Sequence, residues 1–180
     1  MPQNPSADAA LVRRAQQGEA EAATALYRQY GPPIFRYFVF RVDDEATAED
    51  LTAEVFLQMV RGLQRYEDRG LPFSAWLFRV AHARLVDYRR RARVRQSEPL
   101  EETTLDTEPG PEVETIVRAE TQQVFAAIRS LTDDQQMVIQ LRFVEGYSLE
   151  ITAEVMRKTI GAVKAMQQRA LRRLATHVKP

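Results

Sequence analysis

The stretch FSAWLFRVAHARLVDYRRR, residues 73–91, sets Phe73, Trp76, Phe78 and Tyr88 directly against a run of arginines. Aromatic rings accept any base face and guanidinium groups neutralise phosphate, so this combination suits the holding of unstacked bases. Trp76 and Phe78 also fit core positions, and for Phe78 the core reading is preferred. His82 has no second histidine or cysteine beside it, so a surface or DNA-facing role fits it better than metal ligation. A second basic set closes the chain: Val155–Pro180 carries seven Lys/Arg and no acid. There Lys164, Gln168, Arg169 and Arg172 share the outward face of a helix. Arg and Gln can address base edges in a major groove while Lys addresses phosphates. Catalytic chemistry finds no comparable support. There is no glycine-rich phosphate loop, no metal-ligand cluster, no cysteine, and no Ser/His/Asp set that two distant histidines could complete. The expectation is therefore a binding protein, not an enzyme, with no catalytic residues, no metal and no cofactor.

These residues need elements to position them. The chain has 180 residues, 25 basic and 25 acidic, which allows one domain or two small ones. Hydrophobic residues make up 44%, a globular composition. The zero net charge hides a pattern: residues 1–95 carry net +3, residues 96–120 net −7, and residues 121–180 net +4. Two basic regions separated by an acidic one imply two phosphate-facing surfaces on one polypeptide. Proline punctuates in the same way. Pro99, Pro109 and Pro111 cluster with seven acids in residues 96–115, a segment too poor in aromatic and large apolar residues to bury itself. It reads as a flexible acidic linker between an N-terminal domain, 1–95, and a C-terminal domain, 116–180. No long apolar run spans a bilayer, and the start MPQNPSADAA is no secretory signal, so a cytoplasmic protein without membrane insertion is expected.

The expected fold is all-α, two small helical domains. The first reads as helices near 8–16, 19–29, 32–41, 46–65 and 72–94, the last opened by Pro72. On the fourth, at about 100° per residue, Leu51, Val55, Phe56, Met59, Val60 and Leu63 fill one arc. Asp50, Glu54, Leu57 and Arg61 share the other side, where an exposed leucine among charges reads as a docking stripe or as a plain solvated face. The C-terminal domain reads as four helices. Thr132 caps DDQQMVIQLRFVE, which Gly146 ends, and Ser148 caps LEITAEVM. A tight turn and a longer basic helix follow, a helix-turn-helix arrangement. In that helix Val163, Met166, Ala170, Leu171 and Leu174 form the buried arc, and Gln167 falls near it.

With this much in place, the chain resembles the extracytoplasmic-function group of the sigma-70 family of bacterial RNA polymerase sigma factors. TAEDLTAEVFLQMVRGL (47–63) with LPFSAWLFRVAHARLVDYRRR (71–91) is similar to that family's region 2, and residues 131–174 are similar to its region 4. The resemblance implies a factor that binds core polymerase, directs it to promoters and helps open the −10 region. It implies docking on core polymerase at the flap and at the clamp helices of the largest subunit, the latter through Asp50, Glu54, Leu57 and Arg61. It assigns the −10 element, duplex and single-stranded, to Tyr66, Arg69, Phe73, Trp76, His82, Arg84, Asp87, Arg90 and Arg91. The −35 element falls to Lys158, Lys164, Gln168, Arg169 and Arg172. Family linkers thread polymerase channels that otherwise hold nucleic acid, so Glu101, Glu102, Asp106 and Glu108 could there imitate a polyanion, though a plain tether accounts for the composition too. An anti-sigma factor is a further partner that the family admits.

The pattern is departed from in the helix-turn-helix, where Arg157 stands at a turn position usually held by Gly and Ala162 and Ala165 stand where Thr/Ser is common. The rival reading is a helix-turn-helix regulator that binds duplex DNA without polymerase. It accounts for 131–174 and leaves the 46–91 block without a role.

Overall fold

The computed structural model describes residues 5–96 and 126–177, and every regular element among them is helical. Four helices build the first unit: α1 (Pro5–Gln16), α2 (Ala20–Val39), α3 (Glu45–Leu63) and α4 (Phe73–Gln96). The second unit comprises helical residues 126–129, α5 (Asp133–Ile139) with a π turn at Gln140–Val144, α6 (Leu149–Met156) and α7 (Ile160–His177). Residues 97–115 of the expected linker, including its four named acids, lie outside the described residues. No described helix is long and apolar enough to cross a membrane.

Local chemistry sets the helix ends. Asp44 caps α3 by accepting from the Thr47 amide at 2.7 Å, and these Thr47 bonds hold its carboxyl below the usual range. Thr132 and Gln135 form a reciprocal capping box on α5, and Ser148 accepts from the Ile151 amide at 3.1 Å on α6.

Two elements differ from the sequence reading. Residues 20–39 form one helix where Gly31-Pro32-Pro33 suggests a break. At Pro32 the usual clash with the Cβ of the preceding residue is absent, because Gly31 has none. Burial of Leu26, Tyr30, Ile34, Tyr37 and Phe38 on both sides of the prolines then outweighs the lost amide donors. The second difference is the π turn. It ends the α5 run with a bond from Glu145 N to Gln140 O at 3.0 Å, and Gly146 follows in left-handed backbone. The wider turn keeps Leu141 buried while Phe143 and Val144 face solvent.

The main core runs through the first unit: Leu26, Ile34, Tyr37, Phe38, Val55, Met59, Leu77, Phe78 and Leu85 are all essentially buried. It does not stop there. Met137, Leu141, Tyr147 and Val155 of the second unit belong to the same apolar cluster. The second unit keeps a small core of its own, Val138, Ala153, Val163 and Met166. Ala153 of α6 and Val163 of α7 thus share one core.

Candidate nucleic-acid interface

The loop from Leu63 to Pro72 is tied down from α1. Gln16 donates through Nε2 to the carbonyls of Leu63 (3.0 Å) and Tyr66 (2.8 Å). Asp68 accepts from the Gly70 amide at 2.9 Å, with Gly70 at φ 76°, and Arg69 pairs with Glu67 at 3.1 Å. The loop leads into a cluster of rings packed edge-on and tilted: Tyr66, Phe73 and Trp76 lie 5.2 to 5.4 Å apart by centroid. Trp76 fits because residue 62 is glycine; a Cβ there would stand 3.2 Å from Cζ2 of the indole. A cavity of about 420 Å³ opens between α1 and this loop, walled by Asp8, Val12, Gln16, Tyr66 and Phe73, with Ile151 of α6 on its far side. Apolar walls with a few converging polar groups suit a small planar ligand such as an unstacked base. Asp8 is buried and accepts from Tyr30 Oη (2.5 Å) and Gln29 Nε2 (2.8 Å). Burial, with the bond to Asp8 second, pushes the Tyr30 hydroxyl far up, so it stays a donor.

Beside this cavity lies a second one, about 280 Å³, bordered by Arg65, Arg69, Arg79 and Arg157 with Tyr66 and Trp76. Burial lowers the Arg79 pKa, and the like charges of Arg157 and Arg69 add to it. An anion entering here would relieve both. Arg65 and Arg79 carry no regular sequence signal; each is a lone arginine in an apolar or loop context, which the charge runs do not mark.

Along α4, Asp87 pairs with Arg84 and Arg90, each at 3.5 Å, so the aspartate orders the basic face rather than opposing it. Arg90 and Arg91 are exposed and Arg84 half-buried. Phe78 is fully buried, as preferred from its position, and Phe73 lies beneath Tyr66 and Trp76 as cavity wall rather than free surface. His82 is largely covered. Its side chain is only 22% exposed, with Nδ1 3.3 Å from the Tyr37 hydroxyl and Nε2 3.7 Å from Asp134 of α5. Burial lowers its pKa.

Helix α7 presents Lys164, Gln168, Arg169 and Arg172 to solvent, all exposed. Val163, Met166 and Ala170 are buried, whereas Leu171 is 41% exposed, a correction to the expected arc. Thr159 starts the helix by accepting from the Ala162 amide at 3.1 Å. Arg157 sits in left-handed backbone, φ 52° and ψ 46°, the conformation its turn requires. Gln167 has a partner that the sequence pattern hides: its Oε1 accepts from Arg142 Nε at 3.1 Å, while Arg142 also donates to the Tyr147 carbonyl. Lys158 is exposed as well, with its Nζ 3.0 Å from Asp134.

On α3, Asp50, Leu57 and Arg61 are exposed and Glu54 half-exposed. Val60, expected in the buried arc, is instead 58% exposed beside Leu57 at 56%. Its position at the border of the arc lets it join the outer stripe. Tyr27 of α2, seated on Phe56 edge-to-face at 4.8 Å, extends this apolar surface.

Comparison with known proteins agrees with this geometry. The family model for Sigma-70 region 2 matches residues 26–95, and that for Sigma-70, region 4 matches residues 127–176. The ECF RNA polymerase sigma factor BldN of Streptomyces coelicolor is 41% identical over 171 residues, covering 92% of this chain and 63% of its own length. ECF RNA polymerase sigma factor ShbA of Streptomyces griseus subsp. griseus is 31% identical over 175 residues, 92% of each chain. The solved structure of CnrH in complex with the cytosolic domain of CnrY shares the fold at a TM-score of 0.71 and 23% identity, covering 94% of this chain and 96% of its own.

Proposed function

The chain belongs to the ECF RNA polymerase sigma factors of the sigma-70 family, and from that premise we propose that it binds core polymerase, directs it to particular promoters and helps open their −10 region. The observation that carries this reading is the ring-walled cavity at Tyr66 and Phe73, which shares Tyr66 with the cavity bordered by Arg65, Arg69 and Arg79. Opening a duplex costs a few kcal/mol per unstacked base, which a ring-lined pocket and a cationic track can offset.

In this reading residues 1–95 dock on the polymerase and handle the −10 element, residues 96–115 tether, and residues 116–180 read the −35 element. Asp50, Glu54, Leu57 and Arg61 meet the clamp helices of the largest subunit, and region 4 meets the flap. Tyr66, Arg69, Phe73 and Trp76 take an extruded base, while His82, Arg84, Asp87, Arg90 and Arg91 follow the strand. Lys164, Gln168, Arg169 and Arg172 enter the −35 major groove with Lys158 at its edge. The protein works by binding rather than catalysis, in the cytoplasm beside the polymerase, and an anti-sigma factor is its further partner.

Run-off transcription on a genomic fragment library with purified core polymerase tests the proposal. Discrete start sites that need this protein and share −10 and upstream sequences are expected. No core-dependent start sites, together with tight duplex binding by the protein alone, would favour a polymerase-independent regulator. On a responsive promoter, Arg172→Ala should cost ~1–3 kcal/mol of discrimination at one upstream position. Equal loss on every sequence would reduce Arg172 to a phosphate contact.

A further inference from the structure

The last turn of α3 holds a glycine that its backbone does not need. Gly62 is helical, and its carbonyl accepts from the Arg65 amide at 3.0 Å. Gly18, Gly70 and Gly146 occupy positive φ, and Gly62 does not. A glycine inside a helix costs stability that alanine would keep, because it gives up more backbone freedom on folding. Its use therefore lies in the side chain it lacks. A Cβ at this position would stand 3.2 Å from Cζ2 of Trp76 and 3.6 Å from Cη2. The first of these is closer than the roughly 3.5–4.0 Å at which carbon atoms pack best.

The indole has one direction in which to yield. Tyr66 lies against it at 5.2 Å with the ring planes 54° apart, and Phe73 at 5.4 Å with the planes 43° apart. Phe73 is buried and has no room to retreat. The space left is the cavity of about 280 Å³ whose wall Trp76 shares with Tyr66, Arg65, Arg69 and Arg79. An indole pushed off α3 would move into that cavity and narrow it.

We propose that Gly62 is a positioning residue for promoter opening. By leaving its face of α3 bare, it seats the Trp76 indole and keeps the arginine-bordered cavity clear for a nucleotide of the separated −10 strand. The proposal rests on the sigma-factor reading for what enters the cavity, while the seat of the indole stands apart from that reading. Gly62 has no side chain to offer DNA. It acts through Trp76, whose ring supplies stacking beside guanidinium groups that supply phosphate contacts.

The full-length protein with core polymerase, on a promoter that responds in run-off transcription, provides the assay. Permanganate oxidation of unpaired thymines reads −10 opening, below the onset of each variant's thermal melt. Trp76 is the only tryptophan of the chain, so acrylamide quenching of its emission in the free protein reports the seat. Gly62→Ala is expected to raise the quenching and to cut opening by about fivefold, the low end of what a stacking contact carries. A second background separates positioning from plain packing. Phenylalanine has neither Cζ2 nor Cη2, so in a Trp76→Phe chain the same Gly62→Ala change should cost no further opening. There it should raise the melting temperature, since the helix regains what glycine cost it. Equal fold losses in the two backgrounds overturn the proposal, as does unchanged quenching or unchanged opening in Gly62→Ala. A wild-type protein that starts no transcript with core polymerase overturns the sigma-factor reading itself, and the role in opening with it. That result is distinct from an active wild type whose Gly62→Ala variant opens DNA equally well.

Discussion

Arg157 holds a left-handed backbone conformation, the only non-glycine residue to do so among the described residues. The turn demands it, because the Arg157 and Lys158 amides return to the carbonyls of Glu154 and Ala153, at 3.1 and 2.9 Å. A side chain there costs about 1 kcal/mol that glycine would not. Arg157→Gly is therefore expected to raise the unfolding temperature by about 2–4 °C in a thermal melt. An unchanged melt would mean that the arginine side chain contributes as much as its backbone costs. Thr132 carries the opposite expectation. Its capping box closes the N-terminus of α5, so Thr132→Ala should lower stability by about 1 kcal/mol in urea unfolding. Arg41 is the residue with the most at stake: it is 6% exposed, 4.0 Å from the Tyr37 ring centre, and burial brings its pKa down to about 10. It remains charged at neutral pH because carbonyls of Tyr37 and Gln136 accept from it.

At the scale of elements, α3 shows how one helix serves two purposes. Leu51, Val55, Met59 and Leu63 hold it to the core, while Leu57 and Val60 leave an apolar stripe in solvent between Asp50, Glu54 and Arg61. Exposed apolar side chains with a charged rim suit the proposed docking on core polymerase and are not required for folding. Leu57→Ala and Val60→Ala should each weaken binding to core polymerase by at least about 1 kcal/mol. The same substitutions should leave stability within about 0.5 kcal/mol. A melt shifted as far as the affinity would count against the docking assignment. Helix α2 makes the complementary point: two prolines persist inside it because the residues flanking them bury more than the missing amides forgo.

The whole molecule adds a dependence on pH. Around His82 stand Tyr37 and Arg41 from α2 and its end, Arg89 from α4, Asp134 from α5 and Lys158 from the turn before α7. Burial is the largest influence on its pKa and lowers it; Asp134 opposes, and the three cations reinforce. Unfolding returns His82 toward its ordinary value of 6.5, so the unfolded chain takes up a proton that the folded one resists. The stability that depends on His82 is thus untouched above that value and falls as the pH drops below it, levelling off once the folded-state pKa is passed. Urea unfolding of the full-length protein should show this loss between about pH 7.5 and about pH 5.5, and His82→Asn should flatten it. A wild-type stability independent of pH over that range would remove His82 from the energetics of packing.

Much of the local architecture was readable in the residues themselves. The phase of Leu51, Val55 and Met59, the caps at Thr132 and Ser148 and the outward set on α7 follow from spacing and backbone preference, which act over a few residues, while the turn at Arg157 was read from the family resemblance. The family and its two regions were readable for the same reason, as motifs in order. The tertiary structure decided the rest. Periodicity says that a helix has a buried side, not what lies against it, so Val60 and Leu171 on the borders of their arcs came out exposed. Gln167 needed Arg142 twenty-five positions away to make sense, and His82 needed Asp134. The covering of α4 by the first turn of α5 is a contact between segments remote in sequence. It depends on charge and shape that meet only when both units are folded, which no local pattern can express.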